Sequence, residues 1–300
     1  MSLIFTRQPQ VLIQGLTGKE GQRAAAWMKA TGTKVVAGVT PGKGGQEVEG
    51  TPIYNSVEEA LAASHLIDIS CIYVPPQFVL AAAKEAITSK VPIVHIIAEG
   101  VPTKDTAILI EQARKHGVRV VGPSSIGWSV PAVSSVGSIG AGSLADFLPA
   151  TIEEPGVAVI SKSGGMANTI ANVLTYGKIP QSLAIGIGGD RLIGTTYADL
   201  LPDLAADPQT KAVVIIGEIG GAYEEVLAEE ITKQHFPKKV VAFISGLFAE
   251  TLPQGVAFGH AGAIVSKTEG TRQGKIDALK KAGVLIATTP EEIVELLSQK

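Results

Sequence analysis

The sequence is poor in cysteine, aromatics and charge, and each shortage excludes something. Its single cysteine, Cys71, falls inside a strand-like run at 69–74, so neither a disulfide framework nor a thiolate metal site can form, and a reducing compartment, the cytoplasm, is the expected setting. The net charge of -3 carries no basic excess, and no stretch interleaves Lys and Arg with aromatics, so no nucleic-acid partner is expected. No apolar run approaches the ~18 residues that cross a membrane. Met1-Ser-Leu-Ile-Phe-Thr-Arg7 passes into a strand-like run with no room for the apolar core of a signal peptide. No metal site is expected either.

What the sequence has is glycine. With 34 glycines, 45% hydrophobic residues and 18% charged ones, the composition is that of α/β chains full of tight strand-to-helix turns. A length of 300 residues exceeds the ~100 to 200 of one domain, so two domains are expected. Strand-like runs at 11–14, 35–39, 69–74, 93–97 and 118–121 alternate with helical patterns at 21–30, 56–63, 77–88 and 103–116, which predicts a doubly wound parallel sheet. Residues 128–155 break this rhythm with Ser, Gly and Pro, and read as a crossover linker. Alternation resumes with strands at 157–160, 183–187, 212–216, 240–244 and 284–287 and helices at 166–176, 223–234 and 290–297. The expected division is 1–127, a linker, and 156–300.

Six glycine-rich segments carry candidate chemistry. The first strand runs into Gly15-Leu-Thr-Gly-Lys-Glu-Gly21, a turn opening a helix, which suits a phosphate or simply turns the chain tightly. After the second strand comes Thr40-Pro-Gly-Lys-Gly-Gly45. A nicotinamide site wants an acid there for the ribose hydroxyl; Lys43 instead suits a ligand with extra phosphates such as coenzyme A. Val159-Ile-Ser-Lys-Ser-Gly-Gly-Met166 places Ser163 as an N-cap, with or without a bound anion. Gly186-Ile-Gly-Gly-Asp-Arg191 and Gly217-Glu-Ile-Gly-Gly221 follow the next two strands, and three such turns at consecutive strand ends favour a ligand site over capping alone. Phe258-Gly-His-Ala-Gly-Ala263 sets His260 among residues too small to crowd it. Alone it would be a structural loop residue. With Glu218 or Asp190 nearby to fix its tautomer, it is a candidate nucleophile. His95 reads as a strand residue, and His65, His116 and His235 as surface residues.

These segments, with Tyr73-Val-Pro-Pro and Ala98-Glu-Gly-Val-Pro, resemble the alpha subunit of succinyl-CoA synthetase, with local similarity to citryl-CoA synthetase and ATP-citrate lyase. The resemblance covers nearly the whole chain. It implies a Rossmann-like CoA-binding domain followed by a flavodoxin-like ligase domain, working in a hetero-oligomer with an ATP-grasp beta subunit that holds most of the ATP or GTP and its magnesium. It implies further that His260 is phosphorylated, that the phosphate passes to a carboxylic acid, and that the thiol of coenzyme A attacks the acyl phosphate, as in the tricarboxylic acid cycle. By residue, Thr17, Gly18, Lys19, Glu20, Pro41, Lys43, Ile97, Ala98 and Glu99 would contact coenzyme A; Ser163, Gly164 and Gly165 would hold the phosphate; and Glu218 would orient His260.

Two departures bear on the acid. Gly165-Met-Ala-Asn168 stands where the succinate pattern has Thr-Leu-Thr-Tyr, and resembles the citrate-activating relatives; Asn168 and Arg191 would then bind the substrate, Arg191 by a forked contact. Gly122-Pro-Ser-Ser-Ile-Gly127 also loses the cysteine of the usual Gly-Pro-Asn-Cys-Pro-Gly. Succinate remains ahead of citrate and malate as the expected acid. Lyase activity is not expected of these residues alone. A CoA-binding regulatory protein with a silent histidine is the alternative outside the ligase class.

Overall fold

A computed structural model of the protein describes residues 8–63, 66–140, 146–247 and 270–299. The N-terminal half alternates β1 (Gln10–Gln14), α1 (Lys19–Ala30), β2 (Lys34–Val39), β3 (Glu47–Val48), β4 (Thr51–Tyr54), α2 (Val57–Ala63), β5 (Ile69–Ile72), α3 (Pro76–Thr88), β6 (Ile93–Ile96), α4 (Thr103–His116) and β7 (Arg119–Val121). These strands pair in the order β3-β4-β2-β1-β5-β6-β7. All pairs are parallel except the short edge pair β3–β4. Counting only the parallel strands, the order is 3-2-1-4-5-6, that of dinucleotide-binding sheets, with its switch point between β1 and β5. Every residue of β5 and β6 is buried, because helices cover both faces; their continuous apolar runs follow from that.

The C-terminal half contains β8 (Gly127–Val130), β9 (Ser134–Gly137), β10 (Gly156–Ser161), α5 (Gly164–Tyr176), β11 (Gln181–Gly186), α6 (Tyr197–Ala206), β12 (Thr210–Gly217), α7 (Tyr223–Lys233), β13 (Lys239–Ile244), α8 (Arg272–Lys281), β14 (Leu285–Ala287) and α9 (Glu292–Ser298). The sheet runs β14-β13-β12-β10-β11-β8-β9. Its five parallel strands are in the flavodoxin order 2-1-3-4-5, and the switch point lies between β10 and β12.

The expected linker at 128–155 needs correction. Residues 127–137 fold into a hairpin, and β8 pairs antiparallel with β11 through Ala184–Ser129, Ile185–Trp128 and Gly186–Gly127. The serines that made this stretch look like a loop satisfy one another inside the protein: Ser129 and Ser135 hydroxyls lie 2.9 Å apart, and the Thr33 hydroxyl donates to the Ser135 carbonyl at 2.7 Å and accepts from its amide at 3.1 Å. Small paired hydroxyls can be buried at little cost.

That hairpin also joins the halves. Trp27 donates from Nε1 to the Ile139 carbonyl at 2.9 Å, and His95 meets Trp128 edge-on at 5.9 Å. Farther along the same junction Arg119 pairs with Asp203 at 2.6 Å. One hydrophobic core contains Val11, Ile13 and Ile69 from the first sheet together with Trp128, Ile185 and Val213 from the second. Among the described residues no helix is long and apolar enough to cross a membrane.

Candidate functional site

Two sites form where the two sheets reverse their strand order. At the first, Gly15 leaves β1 with φ +88°, and a Cβ there would lie 2.6 Å from the Tyr73 carbonyl oxygen, so only glycine lets this turn press against the end of β5. A cavity of about 390 Å³ opens at these strand ends, lined by Gln14, Gly15, Thr40, Pro41, Val74 and Phe78 among others. Phe78 is 57% exposed on its wall. Beside it the Lys43 ammonium donates to the Thr17 hydroxyl at 3.3 Å, and the Thr17 and Thr40 hydroxyls are 3.2 Å apart. An apolar cleft with a lysine, two hydroxyls and a helix N-terminus at its mouth fits coenzyme A, whose base wants apolar cover and whose phosphates want donors.

The structure brings Thr17, Pro41 and Lys43 together here. Gly18 precedes α1 as its N-cap, and Lys19 and Glu20 occupy the exposed first turn, where Glu20 pairs with Arg23 at 3.6 Å. Ile97, Ala98 and Glu99 follow β6, two strands away from β1 in the sheet. The Ala98 carbonyl there accepts from the Ser124 amide at 2.9 Å.

At the second switch point, β10 ends in Ser161-Lys-Ser-Gly-Gly165. Ser163 caps α5, its hydroxyl accepting from the Met166 amide at 3.4 Å. This leaves the first amides of the helix, at Gly164 and Gly165, directed outward with the positive end of the helix dipole. The two glycines differ in purpose. A Cβ at Gly164 would collide with Ile126, whereas one at Gly165 would meet nothing closer than the Ser163 hydroxyl at 4.0 Å.

Across this point lies Lys162, 2% exposed, with Nζ 2.8 Å from Glu218 Oε1 and 5.6 Å from the centre of the Tyr223 ring. Tyr223 is half-buried, and burial pushes its phenol up; its hydroxyl donates to the Arg191 carbonyl at 3.4 Å and accepts from the Ile193 amide at 3.3 Å. Sequence reasoning passed over Lys162 and Tyr223. The signal for Lys162 was a lone cation at the end of a strand otherwise buried throughout.

The loop bearing Glu218 is held from below. The Glu218 amide donates to Glu224 Oε1 at 3.2 Å. Lys275, from α8, pairs with Glu224 and donates to the Gly220 carbonyl at 2.8 Å. Ser245 donates to the Gly217 carbonyl from both amide and hydroxyl at 3.0 Å, and the Gly220 amide donates to the Gly270 carbonyl at 2.8 Å. His260 lies outside the described residues. The chain on either side of its segment, at Ser245 and at Gly270, is hydrogen-bonded to the 217–221 loop.

The two expected substrate residues diverge. Asn168 lies on α5, and its Oδ1 accepts from the Gly140 amide at 3.1 Å. Arg191 is exposed in the loop after β11, where it lines a small cleft with Asp190, Leu192 and residues 100–103. Of the other histidines, His95 is buried in β6, His116 is half-buried and His235 is exposed; His65 lies outside the described residues. Among the described residues no His, Cys, Asp and Glu cluster could hold a metal ion.

Comparison with known proteins gives a consistent pattern. Residues 6–100 match the CoA binding domain family and residues 160–297 the CoA-ligase family. The chain is 39% identical over 297 residues to the ADP-forming sulfoacetate-CoA ligase subunit SauD of Bilophila wadsworthia, covering 99% of this chain and 98% of that one. It is 39% identical over 300 residues to the ADP-forming succinate-CoA ligase subunit alpha 2 of Archaeoglobus fulgidus, covering 100% and 99%. Its fold matches the structure of ATP citrate lyase from Methanothrix soehngenii in complex with citrate and coenzyme A, with a TM-score of 0.85 at 24% identity over 99% of this chain; the chain spans 52% of that protein.

Proposed function

The chain belongs to the family of ADP-forming acid–CoA ligase alpha subunits, which includes succinate–CoA ligase, and from that premise we propose that it carries a phosphoryl group on His260 between a nucleotide and an acid. The observation that supports this reading most is the convergence at the second switch point. The capped N-terminus of α5, the buried Lys162–Glu218 pair and both flanks of the histidine segment meet at the adjoining ends of β10 and β12.

In this reading the γ-phosphoryl group of ATP or GTP, held with magnesium by an ATP-grasp beta subunit, moves to the His260 imidazole. It then moves to the carboxylate of the acid. Attack by the CoA thiol on the resulting acyl phosphate forms the thioester and releases phosphate. Ser163, Gly164 and Gly165 hold the phosphoryl oxygens by backbone donation, where the helix dipole adds to the attraction. Glu218 accepts a hydrogen bond from the N–H of the second imidazole nitrogen and so fixes the tautomer that leaves the other nitrogen nucleophilic. Lys162 keeps the Glu218 carboxylate in place. Thr17, Lys43 and the apolar cavity bind coenzyme A, with Gly18, Lys19, Glu20, Pro41 and residues 97–99 as its surroundings.

For the acid we propose a small di- or tricarboxylate, succinate first, with Arg191 as partner of the distal carboxylate and the Asn168 amide nitrogen as a second donor. A ligation assay with the beta subunit, MgATP, CoA and, in turn, succinate, malate, citrate and sulfoacetate tests the reading. ADP beyond the one equivalent per chain released on phosphorylation should appear only with acid and CoA together, and succinate should give the highest kcat/KM. A higher value for another acid would replace the substrate alone, whereas continued ADP release with no thioester from any acid would remove the ligase reading.

A further inference from the structure

Glu224 and Lys275 are both 0% exposed and form an ion pair beneath the 217–221 loop. Two charges shut away from water are costly, and apolar residues of similar volume are often as stable or more so in their place. Stability therefore does not account for this pair, and its contacts suggest what does. Both ends of it hold the backbone that presents Glu218: Glu224 Oε1 accepts the Glu218 amide proton at 3.2 Å, and Lys275 Nζ donates to the Gly220 carbonyl at 2.8 Å. The fit is close, since a Cβ at Gly217 would lie 2.6 Å from Glu224 Oε1. Lys275 also belongs to α8, the helix that begins directly after the His260 segment. Its N-cap Thr271 follows Gly270, whose carbonyl accepts from the Gly220 amide at 2.8 Å.

We propose that the buried Lys275–Glu224 pair is a positioning device for phosphoryl transfer, which sets the backbone from which Glu218 is presented and ties that backbone to the start of α8. Neither residue touches the reacting atoms. The proposal rests on the role given to Glu218 above. An ion pair suits this task better than an apolar contact, because its hydrogen bonds have direction and fix the loop in one arrangement, as buried polar groups do where they specify register.

The test compares Lys275→Met/Glu224→Leu, Glu224→Gln and Glu218→Gln with the wild type, each with the beta subunit, MgATP, CoA and succinate. The double variant removes both charges and keeps the volume, but it takes a partner from the Glu218 amide and the Gly220 carbonyl and the ammonium from beside Glu225. It should therefore fold and melt somewhat below the wild type. Its kcat should fall by about 100-fold, as a misplacement of about 1 Å does, with the KM for CoA unchanged because the CoA cavity is in the other half. Glu224→Gln keeps an acceptor for the Glu218 amide and should fall less. Wild-type kcat in a folded double variant would make the pair merely structural and overturn the proposal. If the double variant does not fold, Glu224→Gln decides: an intermediate kcat with unchanged KM for CoA supports positioning, and a wild-type kcat overturns it. Glu218→Gln separates the two levels of the argument, since normal turnover there would remove the role of Glu218 itself, and positioning with it.

Discussion

His95 shows what burial does to one titratable side chain. Its Nε2 lies 2.9 Å from the Ser125 carbonyl, yet burial lowers its pKa from 6.5 to about 4 against the opposing effect of that bond. The folded protein therefore keeps His95 neutral between pH 6.5 and about 4, while the unfolded chain takes up a proton there. Its contribution to stability is complete above pH 6.5 and declines as the pH falls to about 4, by a total on the order of 3 kcal/mol. Across that window His95→Gln should show a shallower loss of melting temperature than the wild type; equal slopes would contradict this origin. Lys162 is buried against a carboxylate instead, with Nζ 2.8 Å from Glu218 Oε1. Lys162→Met leaves the Glu218 carboxylate without its buried cation, and should cost about 3 kcal/mol in urea unfolding as well as most of the turnover.

The elements fix the site through steric detail at the strand ends. Gly164 and Gly165 are neighbours with opposite requirements. Gly164→Ala should destabilise by about 1–3 kcal/mol, because Ile126 would have to shift. Gly165→Ala should leave stability within about 0.5 kcal/mol of the wild type, since its surroundings are open; urea unfolding of both variants checks the pair. The central parallel strands and most helices were legible in the sequence because buried central strands are unbroken apolar runs and their helices are amphipathic; the parallel edge strand β4, only partly buried and containing Pro52, was not. The hairpin at 127–137 was not, since paired serines look like loop composition. α6 was missed because Pro202 lies inside it, although its capping box, Thr196 with Asp199, is a sequence signal. α8 was missed for its charge: RQGKIDALKK carries the buried Lys275 among solvated neighbours. For the same reason glycine turns at strand ends marked the candidate site in the sequence, while the pairs Lys162–Glu218 and Lys275–Glu224 were invisible. A charge in sequence looks solvated until its partner, from 51 to 56 positions away, is seen beside it.

On the scale of the molecule, two doubly wound sheets put one candidate site each at their switch points, and this separation predicts separable function. Lys43→Glu puts an acid beside Thr17 at the first site. It should weaken CoA binding by about 2 kcal/mol in titration calorimetry through lost phosphate attraction and added repulsion, and leave phosphorylation of the chain unchanged. Loss of both together would mean that the two sites are one. The central claim is that this chain is the phosphate carrier, and one measurement addresses it most directly: incubation with the beta subunit, magnesium and γ-labelled ATP, followed by separation of the chains. The account predicts about one label per chain, labile to acid, stable to base, discharged by succinate with CoA, and lost in His260→Asn. Label that persists in His260→Asn, or that appears only on the partner, would contradict it.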